Sequence, residues 1–245
     1  MIRKKSVFLI FIFTITGTYS VVGQSGDYQI WTDFTIKYES TNRIGLGGDV
    51  GYRTEPGSGD WNTFYIRPTV YYAPNNIFKL NGGLAYFKVF QDFPQNSDEI
   101  RLFQDFHFNW PDFGWLLIRN RIRFEERFFF FPDGDDDFSA RGRYRINLES
   151  RDFGLFGSAR KLYLVGSWEG FLQLNQAVEE LFINNYRTYI SLGLRQSAGW
   201  RYELHFMQQN SRQIVEDGFK TQEYVVRFRV FHTILNEIEN EKTFP

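Results

Sequence analysis

The sequence predicts an all-β protein: a single antiparallel up-and-down transmembrane β-barrel of twelve strands, with ten as the alternative count. Three observations in its 245 residues carry this. Apolar and polar residues alternate through most of the chain, the period of a strand with two unlike faces. Aromatic residues reach 20%, with Phe 28, Tyr 14 and Trp 6, while the hydrophobic content is an ordinary 42%. Beyond the first segment, no apolar run approaches the roughly 20 residues that a membrane helix needs. Such a chain spans a bilayer only as a closed barrel, because only helices and closed barrels satisfy every backbone N–H and C=O without water.

The N-terminal segment reads as an address. Arg3, Lys4 and Lys5 precede the apolar run Val7 to Ile15, and Val21 and Gly23 stand at the −3 and −1 places before Gln24. That is the layout of a secretory signal peptide over residues 1–23. An uncleaved anchor fits less well, since Thr14, Thr16 and Gly17 interrupt a run already too short. Cleavage takes the formal charge from −1 to about −4. Residues 24–236 are expected to form the barrel and residues 237–245 a C-terminal tail.

In the first strand, Tyr28, Ile30, Thr32, Phe34, Ile36 and Tyr38 share one face. Gln29, Trp31, Asp33, Thr35, Lys37 and Glu39 share the other. The split recurs in Ile44 to Arg53, Asn62 to Ala73, Phe78 to Val89, Ile100 to Asn109 and Trp115 to Phe128. It continues in Arg141 to Glu149, Lys161 to Glu169, Tyr186 to Arg195, Trp200 to Gln209 and Gln222 to His232. Turn chemistry separates these stretches at Ser40-Thr41-Asn42, Pro56-Gly57-Ser58-Gly59, Pro74-Asn75-Asn76, Trp110-Pro111-Asp112 and Ser197-Ala198-Gly199. Eleven stretches in hairpin succession read as one meander without a domain break. An even count, with both ends at one rim, means either that one long link, such as Phe129 to Ala140 or Phe171 to Ile183, hides a strand or that one stretch is merged or split. The short links near Trp110 to Gly114 and Gln196 to Gly199 are expected on the periplasmic side. The long ones at Phe129 to Ala140, Phe171 to Ile183 and Arg212 to Lys220 are expected outside.

The apolar face sets the height. Tyr28 and Tyr38 lie ten residues apart. At about 3.3 Å per residue and a tilt of about 45°, that projects to roughly 23 Å. A membrane barrel carries an apolar band about 25 Å tall, edged by aromatic girdles. Tyr52, Tyr72, Tyr86, Trp115 and Trp200 fall near other strand ends on the same face. A soluble periplasmic barrel binding an apolar ligand has the same alternation turned inside out; the export signal and girdle spacing favour the membrane version.

The polar face is rich in arginine: of 28 basic residues, 20 are Arg and eight are Lys. Arg119, Arg121, Arg123, Glu125 and Arg127 follow one another on one strand, and Arg141, Arg143, Arg145 and Glu149 on the next. Arg101, Glu169, Arg187, Arg195, Glu203, Glu223, Arg227 and Arg229 occupy the same face elsewhere. Guanidinium groups make fixed, forked bonds and are less strongly hydrated than ammonium groups, so this pattern suits crowded ion-pair ladders. These residues are expected to form an ion-pair network in the lumen. Interlocked side chains that fill the lumen would leave a structural or surface role. Retained water would instead make the surplus arginine a narrow, anion-favouring passage. Ten to twelve strands lie below the sizes that leave wide aqueous pores.

The middle and C-terminal strands resemble DUF2490, a family of Gram-negative outer-membrane barrels found in the Bacteroidetes. The resemblance runs from about Glu99 to Phe231. It rests on Glu99-Ile100-Arg101 with Gln104, on Arg119 and Arg121 leading into Phe124-Glu125-Glu126-Arg127, and on Arg141-Gly142-Arg143-Tyr144-Arg145. Trp168-Glu169, Arg187-Thr188-Tyr189 with Gly193, and Tyr202-Glu203-Leu204 ending in Met207-Gln208-Gln209 complete it. It implies an outer-membrane barrel and no activity.

Several chemistries are disfavoured. Cys is 0, which removes disulfides, thiolate metal sites and cysteine catalysis. Asp133, Asp135 and Asp137 have the spacing that opens a calcium loop. Phe138 then stands where glycine belongs and Tyr144 where the closing carboxylate belongs, so a solvated acidic loop is expected. An envelope-lipid-modifying enzyme would need Ser, His and an orienting acid to meet. His107 and His205 fall on the polar face with Ser167 and Ser191, and His232 on the apolar face, but G-x-S-x-G and H-E-x-x-H are absent. No catalytic residue, metal or cofactor is expected. A net charge of −1 disfavours nucleic acid. The expected partners are outer-membrane lipid and, during insertion, the barrel-assembly machinery.

Overall fold

The computed structural model describes residues 27–235 apart from 42, 57–60, 92–95, 112, 133, 155–159, 176–182, 197–198 and 213–219. Residues 1–23 and 237–245, expected to be signal peptide and tail, lie outside the described residues. The strands are β1 (Asp27–Glu39), β2 (Ile44–Thr54), β3 (Trp61–Tyr72), β4 (Phe78–Gln91), β5 (Ser97–Asn109) and β6 (Leu116–Phe130). They continue as β7 (Asp137–Ser150), β8 (Phe153–Gly154), β9 (Arg160–Gln173), β10 (Ile183–Gln196), β11 (Trp200–Arg212) and β12 (Lys220–Leu235).

All twelve belong to one sheet. The long strands pair antiparallel in chain order from β1 to β12, with β8 set aside. The ring closes where β1 meets β12, and that ladder is parallel, from Asp27 opposite Glu223 to Glu39 opposite Leu235. Eleven long strands therefore form the wall, and laying an odd number alternately up and down returns the last to the direction of the first. The premise that both ends share one rim does not hold, and with it goes the need for an even number of wall strands.

Among the described residues neither long link holds the twelfth strand, and residues 176–182 lie outside them. Residues 131–136 between β6 and β7 hold no strand among those described. It is β8, two residues that rejoin β9 at Leu162 and Lys161, just beyond the end of the β7–β9 ladder at Glu149 and Val165. The ladder breaks after Glu149 and resumes at Phe153 with the same neighbour, one residue out of register.

Local chemistry accounts for the short turns. Thr41 Oγ1 accepts from the Ile44 N–H at 2.9 Å, and Asn75 Oδ1 from the N–H groups of Ile77 at 2.9 Å and Phe78 at 2.8 Å. Gly114 and Gly199 take positive φ of 75° and 76° in two further links at the same rim. The opposite rim carries the links around 55–60, 92–96, 131–136, 174–182 and 213–219 together with the start of β1.

Along the wall strands, odd-numbered residues point in and even-numbered ones point out. Phe34 and Leu204 are 39% and 37% exposed, while Arg121 is 7% and Glu125 2% exposed. Aromatic rings meet near both ends of the outer face. Tyr28 stacks on Tyr224 and Phe128 tilts on Phe138 at one end. Phe78 with Phe108, and Trp200 with Tyr202 and His232, do so at the other.

Inward rings take space that glycine leaves. Gly193 lies opposite Tyr163, and a Cβ there would overlap the ring. Tyr163 is fully buried and donates its hydroxyl hydrogen to Glu203 at 2.6 Å. Gly51 makes the same room for Tyr65. Gly193→Ala is expected to cost about 1–3 kcal/mol in urea unfolding of the refolded barrel, the usual range for overpacking. Unfolding at the wild-type midpoint would refute the packing argument, and adding Tyr163→Ala should relieve the clash.

Candidate functional site

The lumen is crossed by a chain of ion pairs built on three carboxylates. Asp105 on β5 takes Arg123 through two bonds, Nε at 2.5 Å and Nη2 at 2.7 Å, and also accepts from Asn81 at 3.0 Å. Glu125 on β6 accepts from Arg141 at 2.6 Å, Arg143 at 2.8 Å and Arg123 at 3.3 Å. Glu169 on β9 accepts from Arg143 at 2.9 and 3.0 Å and from Arg121, with Arg187 at 3.9 Å. Arg123 and Arg143 thus link these three acids into one path from β5 to β9. Forked pairing to two oxygens is the strong form of this bond, and it is why Arg rather than Lys fits here.

Satellite groups surround the path. Glu99 accepts from Arg127 at 2.6 Å and from Arg101 at 2.7 Å. Glu149 takes Arg119 at 2.5 Å and Arg195. Asp33 holds Arg227 and the Tyr65 hydroxyl, with Arg229 at 3.9 Å. Glu203 pairs with His205 at 2.8 Å and lies 3.9 Å from Arg229. Asp49 and Arg67 form a two-bond pair at 2.6 and 2.8 Å. Glu223 accepts from the side-chain amides of Gln29, at 3.1 Å, and Gln209. Arg145 lies directly across the ladder from Glu169, yet Arg143 and Arg121 take that carboxylate.

Sequence reasoning missed Asp33, Asp49, Arg53, Arg67, Glu99 and Asp105 as members. Their odd numbering is the signal that places them inside. Two clusters of buried residues share the lumen with the charges. One contains Trp31, Tyr163, Val165, Tyr189, Met207 and Val225, and the other Tyr65, Ala85, Phe87 and Phe103. Guanidinium groups lie over these rings, Arg53 at 4.2 Å from Trp31 and Arg101 at 3.7 Å from Phe87.

A cavity of about 210 Å³ opens in the half of the lumen where β1 starts. Twelve of its lining residues are Arg and two are Glu. Aromatic residues including Trp31, Trp61, Phe87 and Tyr189 complete the wall.

The islands Phe124-Glu125-Glu126-Arg127, Arg141 to Arg145 and Trp168-Glu169 supply most of the central path, and Glu99-Ile100-Arg101 a satellite of it. A family model described as "Protein of unknown function (DUF2490)" matches residues 28–220. The chain belongs to this family. The DUF2490 match covers β1 through β11 and ends on Lys220, the first residue of β12, so it reaches well upstream of the Glu99 start of the resemblance. No curated protein and no solved structure matches the chain.

The structure brings one serine and one histidine of this DUF2490 chain together. Ser191 lies opposite His205 on the β10–β11 ladder, and His205 Nε2 is 2.8 Å from Glu203. Ser191 Oγ and His205 Nδ1 are nevertheless buried without a hydrogen-bond partner, so the serine is not bonded to the histidine. Neither residue lines the cavity. Ser167 is bonded instead to Asn147 at 2.5 Å, and His232 stacks on Trp200 on the outer face at 4.2 Å. Among the described residues, no group of three or more His, Cys, Asp or Glu could hold a metal ion. Asp133 lies outside the described residues, and Asp137 Oδ1 accepts from the Phe138 N–H at 2.6 Å.

Proposed function

We propose that this protein is an outer-membrane β-barrel, exported by a cleaved signal peptide, whose lumen is largely filled by interlocked arginines and carboxylates. One observation carries the reading: the barrel wears its apolar side chains outside and buries its charges. Leu164, Leu192 and Phe206 are 53%, 46% and 54% exposed, while Glu169 and Asp105 are 1% and 2% exposed. A contiguous apolar exterior belongs against hydrocarbon, and aromatic contacts near both strand ends support an interfacial girdle at each leaflet. The short-turn rim faces the periplasm and the long-link rim faces outward. Lipid is the standing partner of the outer face, and the barrel-assembly machinery the transient one.

With its interior occupied, the barrel acts in a structural or surface capacity. The excess of arginine in the cavity favours a second reading, narrow passage or retention of small anions. An enzyme acting on envelope lipids draws less support, because Ser191 and His205 are buried and apart from the cavity.

Two measurements test the reading. The expressed chain should fractionate with the outer membrane and migrate differently on gels before and after heating. Purified barrel in planar bilayers should give no large, reproducible conductance steps. Recovery from the soluble periplasm would remove the membrane assignment, and porin-sized steps would remove the filled lumen.

A further inference from the structure

We infer that the arginine-lined cavity at the long-link end of the lumen is a binding site for a small, multiply charged oxyanion of the phosphate class. The inference deepens the anion-favouring reading, and it rests on the inward arginine face rather than on which membrane the barrel occupies. Its first support is the imbalance of the lining, twelve arginines against two glutamates. The acids that neutralise the neighbouring arginines, Glu125 and Asp33, do not line the cavity, so the surface presented to a ligand is strongly positive.

The second support is independent of charge counting. Arg53, Arg121, Arg143, Arg145, Arg187 and Arg229 each keep a buried Nε without a hydrogen bond among the described residues, those of Arg121 and Arg229 lying 4.0 and 3.9 Å from Asp105 and Asp33, and all six residues line this cavity. Arg121 and Arg187 are themselves only 7% and 9% exposed. Buried donors without a hydrogen bond are costly, and six such arginines around one space leave donor capacity that an acceptor-rich ligand would use.

Geometry selects the ligand. The six come from β2, β6, β7, β10 and β12, so their forks enter from around the ring. A planar carboxylate accepts within its plane. A tetrahedral phosphoryl group offers oxygens in diverging directions and can meet several forks at once. The 210 Å³ space suits a phosphate or pyrophosphate. Trp31 lies beneath Arg53 at 4.2 Å, Arg187 at 5.5 Å and Arg227 at 5.6 Å, so its emission reports on the site.

The test uses the full-length barrel folded in zwitterionic detergent. Tryptophan emission and titration calorimetry follow pyrophosphate, phosphate and chloride at constant ionic strength. Pyrophosphate should give a saturable signal at concentrations at least about tenfold below those of chloride. Arg53→Gln and Arg145→Gln should each weaken it about tenfold. Among the described residues neither arginine is hydrogen-bonded to a carboxylate, so each acid nearby keeps its bonded arginine in either variant. Arg43→Gln, in the exposed turn at the other rim, should leave binding unchanged. Heat-modified migration identifies folded variants, and Arg53→Lys, which keeps the charge but loses the fork, should fall between wild type and Arg53→Gln. A signal that never saturates, one equal for chloride, or wild-type affinity in both folded Gln variants would overturn the site. Because fractionation is read separately, a barrel found in the outer membrane that ignores pyrophosphate sinks this inference alone.

Discussion

Replacing Glu125 with Ala is expected to lower the unfolding free energy of the refolded barrel by about 3–5 kcal/mol, the cost of removing one partner from a buried ion pair. Glu125 is 2% exposed and accepts from Arg123, Arg141 and Arg143. Without it, Arg141 loses its only carboxylate among the hydrogen bonds described. Arg123 and Arg143 retain Asp105 and Glu169 but face each other directly across the β6–β7 ladder. Like charges in that position repel. The adjacent Glu126 points outward, so Glu126→Ala should leave stability unchanged or raise it. Urea titrations of both variants in the same detergent make the comparison. Equal effects at the two positions would show that the interior network does not hold the wall.

Leu204→Arg is expected to cost about 2–4 kcal/mol when the barrel is unfolded from lipid vesicles, the depth-dependent price of a cation on the lipid face near the midplane. Leu204 is 37% exposed and stands in a row with Leu192 on β10 and Phe228 on β12, four residues inside the Trp200 end of its strand. In a soluble barrel the same exposed position would tolerate arginine within about 0.5 kcal/mol. Tyr28→Arg, at the rim, should cost about 0–1 kcal/mol in the same vesicles. A flat profile from Leu204 to Tyr28 would refute contact with hydrocarbon.

Much of the wall was readable from sequence because alternation is local. Each alternating stretch, from Tyr28 onward to Gln222–His232, falls within one residue or so of a long strand or wholly inside one. Closure was not readable. Whether β12 returns parallel or antiparallel to β1 depends on pairing between residues nearly two hundred positions apart, and no local pattern encodes it. In the site, the inward face was legible from arginine on alternate positions, but the partners were not. Arg123 bonds the acid directly opposite, Asp105, whereas Arg145 sits opposite Glu169 and yields it to Arg143 from the same strand. Such choices follow from register and side-chain reach, which strand patterning leaves undetermined. Trp31, Tyr65 and Tyr163 were hidden for a different reason: inward and outward rings look alike until parity is fixed, and only glycines such as Gly51 and Gly193 opposite them hint at the crowding.

The parallel seam between β1 and β12 governs how the cylinder is completed. Every other ladder of the wall joins strands that follow one another along the chain, whereas this one pairs Asp27 with Glu223. The entropy of bringing such distant segments together must be met before the ladder contributes, so the first stave waits for the last. Slanted parallel bonds are also slightly weaker per residue than antiparallel ones. What fastens the two is on the inside: Gln29 to Glu223 at 3.1 Å, and Asp33 to Arg227. The same polar lining that gives the interior its charge is therefore the latch that keeps the wall from springing open.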